Sequence, residues 1–153
     1  MRRKERGFTL IELLIVVAII GIIAAIAIPN LLNAIDRGRQ KRTMADIRSV
    51  GTAAEAYAVD NNRYPNEGAL GGLTAVNGSL DQWVEPVYIK KCPEQDGWSF
   101  DLLYGSDGAD YTVRSYGKNG SSDNATGGKT TDFDDDIIFS DGAFLQWPEG
   151  QQQ

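Results

Sequence analysis

The sequence has no histidine and a single cysteine, Cys92. The first absence removes Ser-His-Asp and Cys-His catalysis, together with every histidine-ligated metal site. The second removes an intramolecular disulfide and any Cys-x-x-Cys redox or zinc motif. A surplus of basic charge is missing too: 15 Lys and Arg stand against 21 Asp and Glu, for a formal charge of −6 and a pI near 4.6. Such a chain lacks the basic surface that neutralises phosphates, so nucleic acid is not an expected partner. Setting aside the first 35 of the 153 residues leaves 118, enough for one small core and not for two.

What the sequence does have is a very uneven share of apolar side chains. Leu13 to Ile28 reads LLIVVAIIGIIAAIAI, and Phe8 to Ile28 is a run of 21 residues with Glu12 as its only charge. A hydrocarbon core of about 30 Å needs roughly 20 helical residues. Met1 to Gly7, just before it, carries four basic residues and one acid. Three readings fit: a secretory signal cut near Ala25-Ile26-Ala27, a permanent anchor, or a signal cut ahead of the apolar run, which then stays on the mature chain. An ionisable group in a spanning helix costs on the order of 2.5–3.5 kcal/mol near its centre and less toward its end. A removable signal or a passive anchor gains nothing from Glu12; the plain alternative is a glutamate that snorkels to the interface. Arg37, Arg39, Lys41 and Arg42 follow the run, so basic residues flank both sides and charge does not set the orientation.

Helical spacing continues beyond the run. Leu31, Ile35, Met44, Ile47, Val50, Ala54, Tyr57 and Ala58 make one stripe, with Arg37, Arg39, Arg42, Asp46, Arg48 and Glu55 on other faces. The pattern predicts a single helix from Phe8 to about Val59, kinked or locally melted at Pro29, which has no N–H for the Ala25 carbonyl. Asp60 to Pro65 ends it. Residues 66–85 read as a loop with a short helix at Ala69–Ala75. Trp98–Leu102, Tyr111–Tyr116, Asp136–Ser140 and, more weakly, Val87–Ile89 read as strands, with a turn at Gly105–Gly108. The expected class is α+β: a long N-terminal helix, transmembrane and then amphipathic, packed on a small antiparallel β-sheet. Gln151–Gln153 reads as a disordered tail.

Gly117 to Asp136 stands apart. Its apolar side chains are Ala125 and Phe133, while Asp123, Asp132, Asp134, Asp135 and Asp136 crowd it with acid. It reads either as a solvated, mobile loop or as a loop ordered by Ca²⁺, which takes six to eight oxygen ligands. The twelve-residue EF-hand pattern is absent.

Gly7-Phe8-Thr9-Leu10-Ile11-Glu12, followed by the apolar run, resembles the class III signal of type IV pilins and of the pseudopilins of type II secretion. Gly21 and Pro29 fall where that family often has a glycine and a helix-bending proline. The resemblance implies that a prepilin peptidase cuts after Gly7 and methylates Phe8, and that Glu12 serves subunit assembly. It places the N-terminus in the cytoplasm, with one pass through the bacterial inner membrane. The divisions it implies are a leader over 1–7, a transmembrane and filament-core helix over 8–30, a periplasmic pilin-like domain over 31–150 and a tail over 151–153.

Asn61-Asn62-Arg63-Tyr64-Pro65, Tyr88-Ile89-Lys90-Lys91-Cys92-Pro93 and Ser115-Tyr116-Gly117-Lys118-Asn119-Gly120, with Asp136-Ile137 closing the loop, are similar to the major pseudopilin of type II secretion. That likeness implies a Ca²⁺ site in the acidic loop, with Asn119, Asp134 and Asp136 matching side-chain ligands and Tyr116 offering its backbone carbonyl. The loop is longer than usual for the family, which leaves Asp132 and Asp135 as alternatives to Asp134 and Asp136. Asparagine at 119 replaces the usual aspartate and removes one charge. Glu55 has a family counterpart that pairs with a base on an adjacent subunit, here Lys90 or Lys91. The implied function is non-enzymatic: a subunit of a helical homopolymer driving protein export. Its implied partners are other copies, minor pilins or pseudopilins, the prepilin peptidase, an inner-membrane assembly platform, and membrane lipid before assembly. The alternative is a type IV pilin forming an extracellular fibre for adhesion, motility or DNA uptake. The lack of a disulfide and the acidic loop favour the pseudopilin.

Overall fold

The computed structural model describes residues 7–65, 72–123 and 125–149. Residues 1–6 of the expected leader, residues 69–71 of the expected short helix and the tail at 151–153 lie outside them.

Helix α1 runs from Leu10 to Asn61, two residues later than expected at each end. It is unbroken through Pro29, so the expected local melting does not occur. One residue past the Ala25 carbonyl that Pro29 leaves without an amide, the Asn30 side chain donates to the Ile26 carbonyl at 3.1 Å. A helix in apolar surroundings keeps every backbone bond it can. From Phe8 to Ile35 no residue is buried. That half includes a window of mean hydropathy 3.1, long and apolar enough to cross a membrane.

The chain divides into two compact units, residues 1–36 and 37–153. The second has its own core. Met44, Ile47, Val50, Ala53, Ala54 and Tyr57 of α1 are buried in it, so the stripe predicted from spacing starts at Met44; Leu31 and Ile35 are exposed. Gly51 sits in the middle of that stripe, where a Cβ would lie 2.4 Å from the Phe139 ring and 3.0 Å from the Tyr111 hydroxyl. Glycine there lets the helix backbone approach the sheet closely.

The sheet has six strands: β1 (Thr74–Ala75), β2 (Leu103–Ser106), β3 (Tyr111–Ser115), β4 (Gly128–Thr130), β5 (Ile137–Ser140) and β6 (Ala143–Pro148), in the spatial order β1-β2-β3-β5-β6-β4. Pairing is antiparallel except between β4 and β6, which run parallel, so the sheet is mixed rather than antiparallel throughout. Asp141-Gly142, both at positive φ, form the two-residue turn between β5 and β6. A short helix α2 spans Asp81–Val84.

Three further expectations are corrected. Trp98–Leu102 is not a strand: Asp96 is buried and its Oδ1 accepts the amides of Trp98 at 2.8 Å and Phe100 at 3.0 Å, curling the segment into a loop. The strand follows directly, at Leu103–Ser106. Val87–Ile89 is not a strand either, since Tyr88 and Ile89 donate back to the Val84 carbonyl at 2.9 and 3.3 Å. The described end of the expected helix at 69–75 is extended, with Thr74 and Ala75 paired to β2.

Candidate functional site

Three groups of residues were singled out by the sequence, and the structure treats each differently. At the N-terminus, Phe8 is 87% exposed and α1 opens after Thr9. Glu12 Oε2 accepts the Thr9 amide at 2.8 Å and the Thr9 hydroxyl at 2.7 Å, while the Glu12 amide donates to Thr9 Oγ1 at 3.3 Å. This is a reciprocal capping box, Thr-x-x-Glu, which satisfies helix-end donors that would otherwise face an apolar medium. The signal was present in the sequence as Thr9-Leu10-Ile11-Glu12, and the expectation about Glu12 overlooked it. Both side-chain contacts use Oε2, so the carboxylate is aimed at the amino end of its own helix.

Glu55 was placed on the polar side of α1. It is instead half-buried, and its Oε1 accepts the Tyr111 hydroxyl at 2.6 Å. The Gly142 amide donates to the same Tyr111 oxygen at 3.2 Å. Burial, then the adjoining Glu55 carboxylate, hold the Tyr111 hydroxyl far above its ordinary range, so it remains a donor at any working pH. Lys90 and Lys91 are both exposed, and Lys91 reaches Glu94 of its own chain at 3.1 Å. Within one chain, then, Glu55 serves the core through Tyr111.

The acidic loop is the third group. Its two ends meet: the Lys118 amide donates to the Phe133 carbonyl at 2.9 Å. At Gly117, φ is +67°, and a Cβ would lie 2.6 Å from the Asp134 carbonyl oxygen, so glycine is required there. The proposed ligand side chains do not converge in the same way. Asn119 is exposed, with Oδ1 accepting the Ser121 amide at 2.8 Å and Nδ2 donating to Asp123 at 3.1 Å. Asp132 is exposed and accepts the Asp134 amide at 3.2 Å, and Asp135 accepts the Asp132 amide at 3.3 Å. Asp134 is exposed. Among the described residues no three acidic side chains come together as a metal ion would require. Asp136 is fully buried; its Oδ2 accepts from Arg114 Nε at 2.7 Å and from Arg114 Nη2, and its Oδ1 has no partner among the described residues. Burial raises the Asp136 carboxyl above its ordinary range and the Arg114 guanidinium draws it back down. As arranged, the donor set does not fit a calcium ion: among the proposed side-chain ligands the one that is buried, Asp136, faces the Arg114 guanidinium, while Asn119, Asp132 and Asp134 are exposed and do not converge on it.

Arg114 was not anticipated, and nothing local in the sequence marks it: it occupies a partly buried strand position between fully buried Val113 and Ser115. Gln146 was missed as well. It is buried on β6, donates to the Asp136 carbonyl at 2.9 Å, and accepts the amides of Thr126 and Gly127, each at 3.2 Å.

Comparison with known proteins agrees with this architecture. Residues 30–137 match the family model described as type II secretion system (T2SS), protein G, and residues 2–28 match the prokaryotic N-terminal methylation motif. Among curated proteins, the chain is similar to the type II secretion system core protein G of Dickeya chrysanthemi, 32% identical over 143 residues, covering 90% of this chain and 87% of that one. It is 34% identical over 134 residues to the core protein G of Pseudomonas aeruginosa, covering 80% and 92%. With that of Vibrio cholerae it shares 36% over 116 residues, covering 72% and 77%. The chain therefore belongs to the type II secretion system protein G family.

Proposed function

We propose that this chain is the major structural subunit of a type II secretion pseudopilus, a periplasmic helical homopolymer whose growth drives protein export. The observation that carries this reading is the first half of α1, apolar and without a buried residue from Phe8 to Ile35, in a chain of the protein G family. An apolar surface of that length is stable only in lipid or against other copies, and its transfer out of water is favoured by roughly 25 cal/mol per Å². Before assembly it spans the bacterial inner membrane with the basic N-terminus in the cytoplasm. Afterwards it bundles at the filament centre.

Processing follows from the methylation motif over residues 2–28. Cleavage after Gly7 by a prepilin peptidase removes four basic residues and one acid, leaving 146 residues, a side-chain charge of −9 and a methylated Phe8 at the new terminus. The Glu12 carboxylate, already turned toward the amino end of its helix, pairs with the Phe8 α-ammonium of a neighbouring copy. Minor pseudopilins and an inner-membrane assembly platform complete the partner set. A second contact joins Glu55 to Lys90 or Lys91 of an adjacent copy; Lys90 is the better candidate, because Lys91 already reaches Glu94.

The test is deletion of the gene with complementation by the intact chain. Retention of the exported proteins in the periplasm on deletion, with secretion restored by the wild-type gene, is the expected result. Normal export accompanied by loss of surface fibres would instead identify a type IV pilin.

A further inference from the structure

The acidic loop poses a problem of charge. Asp123, Asp132, Asp134, Asp135 and Asp136 lie within fourteen residues of one another, and a polar segment of this kind has little apolar burial to offset its ordering entropy. The structure nevertheless orders it around one point. Arg114 reaches from β3 and donates to Asp136 Oδ2 through Nε at 2.7 Å and through Nη2, and Nη2 also donates to the Asp123 carbonyl at 2.6 Å. The Asp123 amide completes the ring by donating to Asp136 Oδ2 at 3.2 Å. One guanidinium thereby ties the start of β5 to the middle of the loop. The pair is withdrawn from solvent: the Arg114 side chain is 17% exposed and that of Asp136 0%. On the far side the loop is held by Gln146 and by the pairing of β4 with β6.

We propose that Arg114 is the built-in cation of this loop, holding Asp136 and the Asp123 carbonyl in place of a bound divalent ion, so that the domain folds fully without metal. Three features of the arrangement carry this. The buried carboxylate is matched through Oδ2 by a permanent charge whose fixed fork of donors reaches both a carboxylate and a carbonyl, the same oxygen types a calcium ion would collect. Asp132 and Asp134 are exposed to water, and Asp132 and Asp135 accept amides of their own loop, which needs no counter-ion. The guanidinium is further fixed over the Tyr116 ring at 5.2 Å, so it arrives pre-positioned from a rigid strand.

The experiment is limited proteolysis of the full-length protein in detergent micelles, with calcium chloride at millimolar concentration or with chelator, followed by mass analysis of cleavage between residues 118 and 135. The wild-type chain is expected to be cut at the same rate in both. Arg114→Leu leaves Asp136 buried without its partner and is expected to be cut about tenfold faster or more in chelator. Arg114→Lys, which keeps the charge but not the fork, is expected to fall between the two. Wild-type protection that appears only with calcium would overturn the proposal, as would an Arg114→Leu loop as resistant as wild type. Should Arg114→Leu fail to fold, the calcium and chelator arms on wild type and on Arg114→Lys decide it alone.

Discussion

The two halves of α1 share one helical backbone and differ in everything else. Before Asp36 the helix carries aliphatic side chains on all faces, and from Phe8 to Ile35 none is buried. Beyond Arg37 it carries charge on most faces and buries one stripe, from Met44 to Tyr57, in a core completed by residues from 76 to 144. The first half therefore has its stabilising partners in other molecules or in lipid, whereas the second has them within its own chain. A substitution should report which half it sits in by what it damages: assembly in one case, the melting temperature of the domain in the other.

The largest effect is expected at Glu12. Glu12→Leu removes the helix cap at Thr9 and, in the proposed filament, the partner of the neighbouring α-ammonium; breaking a buried charge pair costs about 3–5 kcal/mol. Filament yield should fall at least tenfold while cleavage after Gly7 and the unfolding midpoint of the domain stay unchanged. Normal filament yield would remove the pairing from the account. Ile47→Ala is the mirror case. Ile47 is fully buried, and its truncation should destabilise the domain by about 2–5 kcal/mol without touching processing. Thermal or denaturant unfolding of the variant in detergent, with processing followed by mass, checks both parts.

Glu55 tests the border between the two behaviours. Its bond to Tyr111 predicts that Glu55→Leu, which has no acceptor, destabilises the domain by about 1.5–3 kcal/mol, and that Tyr111→Phe costs less once Glu55 is already Leu. If Glu55 also serves assembly, Lys90→Glu should weaken filaments while leaving domain stability alone. A double-mutant cycle on filament yield separates the two contributions.

The smallest effect concerns Cys92. Burial first, then the Glu85 carboxylate, push its thiol from 9.0 up to about 12. The folded chain thus holds this proton more tightly than the unfolded chain does. Its contribution to stability is complete below pH 9.0 and is lost as the pH rises toward about 12. Alkaline melting of wild type against Cys92→Ser should show that extra loss only in wild type, and thiol labelling of the native protein near neutral pH should be slow.

The sequence made the first half of the helix and its signal legible because hydrophobicity and register are written residue by residue there. The stripe from Met44 onward was legible for the same reason. The sheet was harder. β6 places Phe144, Gln146 and Pro148 inward, a pattern in which a glutamine and a proline hide the alternation, although Asp141-Gly142 is a strong hairpin turn that could have revealed it. β4 is three residues beginning with glycine, and only its parallel pairing with β6 makes it a strand. At Trp98–Leu102 aromatic alternation suggested a strand, and a single buried acceptor, Asp96, overrode it. In the acidic segment Gly117–Asp136, read as one loop, the sequence did not show strand β4 inside it, and composition does not say which base faces which acid. Arg114 lies 22 residues from Asp136, and only the β3–β5 pairing brings them together.

The most direct test of the contrast between the halves is to produce residues 37–153 alone and to compare their thermal unfolding with that of the full-length chain in detergent. A core made wholly of residues beyond Arg37 predicts a cooperative transition at the same midpoint within a few degrees, in a protein that stays monomeric and forms no filament. A fragment without a cooperative transition, or one that assembles into filaments without its apolar helix, would contradict the account.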